Sequence, residues 1–379
     1  MFGGIRARLW CPDAPVSRES APERRGNLDR NGSVTGGIVL GVDLLEPLRR
    51  EFVEFLERCG RGDVETVPLA GDASARRYFR LTRNGDNVGE LLMFSPREDL
   101  VSFVKVEAHL RSLRVSTPEI YELDEALGLA VIEDFGSASF TALLDGGHDA
   151  HELYTVAFDV LVHLHEHPDA RAISLPSHDV NTLIGLVELF AEWYLPLVRE
   201  RALETGEYEE FVGLWRELLS PPPRCDFLVL RDYHVDNLIL LGREGLLRCG
   251  LLDFQDSSFG SSAYDVMSLL EDARRDVAEE LRAELLGRYF TARSGLERDV
   301  FEREFILLSA QRHMRVAGLF CRLWKRDGKA WYLDYMPRVL RMLDATLRHE
   351  EFAGMRKFLD RVAPTWRDGL RDEVIRKLS

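Results

Sequence analysis

The sequence predicts an α+β protein of two lobes, a small β-rich lobe followed by a large helical one. Three observations predict it. Strand signals crowd residues 66–132 around one amphipathic stretch, helical patterns dominate from Asp149 to the end, and a β-rich island at 226–254 interrupts the helical part. The division falls near residue 135, giving lobes of 41–135 and 136–379, with residues 1–40 outside both.

In the small lobe, Leu44, Leu45, Leu48, Phe52, Phe55 and Leu56 recur at helical spacing. Thr66 to Leu69 and Tyr78 to Thr82 read as strands. Asn84-Gly85 is a tight-turn pair, and Val88 to Phe94 resumes as a strand that Pro96 ends. Leu100 to Leu113 carries Phe103, Val106, Leu110 and Leu113 on one helical stripe, and Thr117-Pro118 stops it. Ile120 to Leu123 and Leu129 to Ile132 form two further strands around a turn at Gly128.

In the large lobe, Asp149 and Glu152 fit a capping box opening a helix through Leu164. Helices follow at about 180–198 and 206–219, stopped by Pro221-Pro222-Pro223. The β-rich island comes next, and helix runs from Tyr264 onward. Residues 1–40 hold six Arg, four acids and much Gly, Pro, Ser and Asn without amphipathic period. They read as a flexible tail or an over-long translation start.

Composition excludes several classes. The chain has 379 residues, 45% of them apolar and 30% charged, which is ordinary globular usage. No apolar run reaches the ~18 residues of a membrane span. Leu183 to Val198, the longest candidate, is broken by Glu188 and Glu192. A net charge of −15 argues against nucleic acid as a partner. Five scattered cysteines without metal-site or redox spacing read as reduced thiols in a cytoplasmic protein. His163, His165 and His167 cluster, but no third ligand is apparent beside His163 and His167 on their shared helix face.

The chemistry concentrates in the island. Leu228-Val229-Leu230-Arg231-Asp232 leads through four residues to Asn237, and Leu251-Leu252-Asp253-Phe254-Gln255-Asp256 ends a second apolar strand. Phosphoryl transfer needs a carboxylate to accept or orient the proton of an attacking hydroxyl, and hard oxygen ligands to hold Mg²⁺ against nucleotide phosphates. Asp232 suits the first role, and Asn237 and Asp253 the second.

These residues resemble the aminoglycoside phosphotransferase and kinase-like superfamily. They are more closely similar to the bacterial N-acetylmuramate/N-acetylglucosamine anomeric kinases of cell-wall recycling. The matching elements are Gly71 to Leu81, Ile132 to Gly136, the Arg231–Asn237 loop, Asp253 to Asp256 and Tyr264-Asp265. Gln311-Arg312, Arg326 to Lys329 and Tyr332-Leu333 resemble the subfamily's tail, and the likeness spans about residues 44–345. It implies a bilobal protein-kinase-like fold, ATP and Mg²⁺ as cofactors, and a small-molecule sugar as acceptor. No nucleic acid or membrane partner is implied, and we expect a monomer or weak dimer.

The resemblance also places further residues. Ser74 and Ala75 fall in the loop that would cover phosphates, and Glu133 and Asp134 at the hinge, where backbone groups would meet adenine. Asp134-Phe135-Gly136 spells a kinase metal triplet, but it precedes the Asp232 loop instead of following it. Arg231 and Asp265 would support the catalytic loop. Asp179, Glu188, Trp193 and Asp256 would meet the sugar, although Leu183, Val187, Phe190 and Tyr194 share a helical period that suits core packing.

Two departures stand out. Leu91-Leu92-Met93-Phe94 offers no lysine to pair with Glu107, so Arg76, Arg77 or Arg80 is the candidate cation. Leu230 occupies the place where most relatives carry histidine. Two rival readings follow, an aminoglycoside O-phosphotransferase or a non-catalytic nucleotide-binding pseudokinase.

Overall fold

The computed structural model describes residues 46–69, 75–371 and 373–375. The 1–40 segment, Leu44, Leu45 and Ser74 lie outside the described residues. The small lobe runs α1 (Glu46–Arg58), β1 (Glu65–Pro68), β2 (Arg77–Arg83), β3 (Asp86–Phe94), α2 (Arg97–Ser112), β4 (Ile120–Asp124) and β5 (Leu129–Glu133). The five strands form one antiparallel sheet in the order β1-β2-β3-β5-β4.

Side-chain alternation explains its two covers. Leu92 and Val131, with Phe79 and Leu81, pack on Phe52, Phe55 and Leu56 of α1. Their neighbours Met93, Ala130 and Ile132 point the other way and join Leu100, Phe103, Val106 and Leu110 of α2. Each large apolar side chain so buried contributes about 1.5–3 kcal/mol. Asn84 and Gly85 both take positive φ, 55° and 87°, as a two-residue hairpin with right-handed strand twist requires. Gly128 is needed for space as well as for its φ of 70°. A Cβ there would lie 2.3 Å from the Ser95 carbonyl oxygen.

The large lobe continues through α3 (Phe140–Asp145), α4 (Ala150–Glu166), α5 (Val180–Leu189), a π-helical turn (Phe190–Tyr194), α6 (Leu195–Arg199) and α7 (Thr205–Leu218). Two small ribbons follow. One pairs β6 (Phe227–Val229) with β9 (Ser258–Gly260), and the other pairs β7 (Leu238–Leu240) with β8 (Cys249–Leu251). α8 (Ala263–Leu270), α9 (Glu279–Ala292), α10 (Arg298–Asp327), α11 (Met336–Thr346) and α12 (Ala353–Val362) complete it. The buried 30-residue α10 crosses α5, α8 and the π turn, and thereby forms the floor of the lobe.

Several expectations are corrected. Asp149 caps α4 by accepting the His151 N–H at 2.9 Å, but Glu152 binds Arg248 and His148 instead of closing a box. The box forms at α7 between Glu204 and Glu207. The helix expected over 180–198 runs without interruption as α5, the π turn and α6, so only its winding differs. β9 was not anticipated, because three residues are too few to show alternation. The histidines are structural: His163 binds the Leu113 carbonyl at 2.6 Å, and His165 binds the Tyr289 hydroxyl at 2.7 Å. Among the described residues no helix is long and apolar enough to cross a membrane.

Candidate active site

The loop after β6 is held from behind. Arg231 takes a φ of +71°, and the buried Asp265 in the first turn of α8 accepts the Leu230 and Arg231 N–H groups at 2.6 and 2.9 Å. Burial pushes the Asp265 carboxyl up to about 7 against the pull of these two bonds. Leu230 sits in the main core, so apolar packing stands where relatives would place a histidine. Asn237 donates its Nδ2 to the Asp232 carbonyl at 2.9 Å, and its own carbonyl accepts Leu252 N–H at 2.9 Å. Burial opposes ionisation of Asp232, yet Arg315, Arg312, His234 and Arg231 together hold its carboxyl below the ordinary range.

Pairing of Leu238 with Leu251 brings Asn237 and Asp253 to the same end of the β7–β8 ribbon. Asp253 also takes a left-handed φ, +56°, so two of the five non-glycine residues with positive φ among the described residues lie here. Arg76 donates to Asp253 Oδ1 at 2.5 Å and to Gln255 Oε1 at 2.6 Å, and Gln255 donates to Asp253 Oδ1 at 3.1 Å. Phe254 stacks on Phe103 of α2, with centroids 5.0 Å apart and planes at 26°. Arg231 Nη1 donates to the backbone carbonyl of the exposed Asp256 at 3.3 Å.

The candidate cations separate. Arg76 reaches Asp253, Arg80 binds Asp134 at 2.6 Å, and Arg77 donates to the Arg76 carbonyl at 3.0 Å. Glu107 is neither solvated nor paired with strand β3. It is buried at 3.4 Å from Arg111, and burial raises its carboxyl.

At the lobe junction two backbone N–H groups are already used. The Glu133 and Asp134 N–H groups already donate to the Glu119 and Gly89 carbonyls at 2.8 and 2.9 Å, so neither can donate to a base. Asp134 is a structural acid. Burial opposes its ionisation, yet bonds from Arg80, Gly136 N–H and Asn87 keep its carboxyl low. The Phe135 ring lies under the Arg243 guanidinium, 5.4 Å from its centroid, and occupies the space a Cβ on Gly250 would need. The Asp134-Phe135-Gly136 triplet therefore joins the lobes by packing Phe135 against β8.

The acceptor-side residues are only partly convergent. Asp179 is exposed and caps α5, accepting Thr182 N–H at 2.8 Å. Glu188 hydrogen-bonds Tyr208, whose hydroxyl is pushed up to about 12 by burial and by Glu188. Trp193 lies half-buried against the core, and Phe190 stacks on Tyr194 at 4.8 Å as core packing requires. Sequence reasoning did not single out Arg315 or His178. Arg315, buried on α10, donates to the Tyr264 hydroxyl at 3.1 Å and acts on Asp232. His178 is buried with both ring nitrogens unpartnered, in the field of Arg231, Arg315 and Asp232. The available signal for Arg315 was its position four residues beyond Gln311, a charged residue in a helix too apolar to be superficial.

Residues 65–300 match the family model of the phosphotransferase enzyme family. An N-acetylmuramate/N-acetylglucosamine kinase of Caulobacter vibrioides is 32% identical over 349 residues, covering 82% of this chain and 95% of that protein. The kinase of the same name from Neisseria meningitidis is 34% identical over 297 residues, covering 74% and 85%. Among solved structures, the GDP and kanamycin complex of APH(2″)-IIIa superposes with a TM-score of 0.55 at 15% identity, covering 79% of this chain and 99% of that one. A choline/ethanolamine kinase family protein of Mesorhizobium loti gives 0.54 at 16%, covering 86% and 100%. These two share the fold, a small antiparallel sheet above a helical lobe, and the chain belongs to the aminoglycoside-phosphotransferase family of phosphotransferase enzymes.

Proposed function

We propose that this kinase transfers the γ-phosphoryl group of ATP, with Mg²⁺, to the anomeric hydroxyl of N-acetylmuramate and N-acetylglucosamine. The observation that carries the reading is the convergence of Asp232, Asn237 and Asp253 on one ribbon end, in a chain whose relatives bear that kinase name. Asp232, kept ionised by Arg315 and Arg312, accepts or orients the proton of the attacking hydroxyl. Asn237 commits its Nδ2 to the loop, leaving its amide oxygen to join the Asp253 carboxylate as a metal ligand.

This donor set fits Mg²⁺, which takes one or two protein carboxylates and completes its shell with phosphates and water. Among the described residues no cluster of three His, Cys, Asp or Glu would suit a closed transition-metal site. Bound there, Mg²⁺ offsets the charge that builds on the transferring phosphoryl group. Arg76 positions Asp253 for that duty and stands in for the absent strand-β3 lysine. Adenine would meet the carbonyls of the 133–135 segment and the Phe135 N–H, with Ala75 and the neighbouring Ser74 near the phosphates. Asp179, Glu188 and Asp256 would receive sugar hydroxyls, while Trp193, half-buried against the core, would offer its remaining surface. Use of ATP favours a reaction in the cytoplasm, where ATP is held.

ADP release is measured with Mg-ATP and N-acetylmuramate, N-acetylglucosamine or kanamycin, beside Asp232→Asn. Release with either amino sugar, lost in the variant, supports the proposal. Release with kanamycin alone would reassign the acceptor. ATP binding without release on any acceptor would favour the pseudokinase.

A further inference from the structure

One face of α10 lines the region between Asp232 and the π turn. Gln311 donates to the Leu183 carbonyl of α5 at 2.9 Å, Arg315 reaches Tyr264, and Gly318 abuts the Leu189–Phe190 backbone. Spacings of four, three and four residues put Gln311, Arg315, Gly318 and Arg322 on a single stripe. The stripe therefore leads from the catalytic carboxylate, which Arg315 faces, to Arg322 beside the turn carrying Glu192 and Trp193.

Arg322 differs from the cleft cations that are paired with acids. Arg76, Arg80, Arg243 and Arg274 each grip a carboxylate. The Arg322 Nε is buried and has no hydrogen-bond partner. Asp327 is already engaged by Arg326 at 2.7 and 3.0 Å, and Glu192 acts on Arg322 only through space. An arginine fork with an unfilled, desolvated N–H, among further positive charges at Arg315 and Arg326, suits a planar anion.

We propose that Arg322 is a specificity-determining residue that binds a carboxylate carried by the acceptor. The inference rests on the proposed anomeric-kinase reading and deepens it. N-Acetylmuramate and N-acetylglucosamine share the anomeric hydroxyl and the N-acetyl group, and they differ by the carboxylate-bearing ether of the former. Seven residues of helix set the Arg315 and Arg322 backbones about 10 Å apart. A sugar whose anomeric hydroxyl stands at Asp232 can thus turn its carboxylate toward Arg322, while the neutral sugar leaves that fork empty.

The test is the ratio of kcat/KM for N-acetylmuramate to that for N-acetylglucosamine, in wild type, Arg322→Met and Arg322→Lys. The ratio should fall about 10- to 100-fold in Arg322→Met, as expected for loss of a charged hydrogen-bonded pair. Arg322→Lys should recover part of the fall, because it keeps the charge without the fork. A merely structural role would lower both sugars together. An unchanged ratio in Arg322→Met would therefore overturn the assignment even if both rates drop. A wild-type enzyme inactive on both sugars would instead overturn the anomeric-kinase reading, and this inference with it.

Discussion

Arg76 of the small lobe donates to Asp253 of the large lobe at 2.5 Å, from a side chain almost wholly withdrawn from solvent. Burial would disfavour the guanidinium charge, but Tyr78 and Asp253 more than restore it. The same arginine holds Gln255, so one residue fixes both polar side chains that flank Phe254. Loss of one such preorganised charge at a phosphoryl-transfer site typically costs 10²–10³-fold in rate. Arg76→Met should lower kcat/KM for ATP by about that factor, and Arg76→Lys should restore only part of it. Full activity in the lysine variant would show that point charge suffices and that the fork is dispensable.

Arg315 is expected to set the acid side of the pH profile. Asp232 has a lowered carboxyl pKa, so its ionised form persists below the usual carboxylate range, and its contribution to stability is lost only as pH falls through that lowered value. Removing the Arg315 charge raises the Asp232 pKa. The acid limb of kcat/KM for the uncharged N-acetylglucosamine should therefore move to higher pH in Arg315→Met. A limb that stays in place would mean that Arg312, His234 and Arg231 suffice.

Local signals carried most of the fold. The two faces of the small sheet are written in Leu92-Met93 and Val131-Ile132, and Asn84-Gly85 states its turn outright. The candidate catalytic loop could be assembled from sequence because its residues lie close together, with Asp232 and Asn237 five positions apart and Asp253 one ribbon away. Contacts between distant segments left no such trace. Arg76 meets Asp253 across 177 positions, and Arg315 acts through space on Asp232 from a helix that periodicity marks only as core. At the hinge, which backbone groups of Glu133 and Asp134 stay free depends on pairing with Glu119 and Gly89, which the local sequence does not show.

Asn237 is assigned two duties, and the magnesium dependence of the rate tells which of them its loss exposes. Its Nδ2 braces the Asp232 carbonyl, and its oxygen is assigned to the metal. Asn237→Ala should raise the Mg²⁺ concentration for half-maximal rate by about 10- to 100-fold, the range found when groups supporting a metal are removed. A rate that falls with no change in that concentration would confine Asn237 to bracing the loop.

Gly318 should reverse the usual sign of a glycine-to-alanine exchange. In a helix interior that exchange ordinarily stabilises by up to ~1 kcal/mol, because alanine restricts the unfolded chain. At Gly318 the added Cβ would stand 2.3 Å from the Leu189 carbonyl carbon and oxygen and 2.6 Å from the Phe190 nitrogen. These are backbone atoms at the junction of α5 and the π turn, so relief requires moving α10 as a body. Overpacking of this kind costs about 1–3 kcal/mol. Denaturant unfolding of Gly318→Ala should show a net loss of that size. Gly287→Ala in α9, where an added Cβ meets nothing within 4 Å, should show the ordinary gain. Because α10 carries Arg315 and Arg322 against the turn bearing Trp193, the first variant should also raise the acceptor KM. A stabilised Gly318→Ala would mean that α10 and the π turn separate readily, and that their close approach does not shape the acceptor pocket.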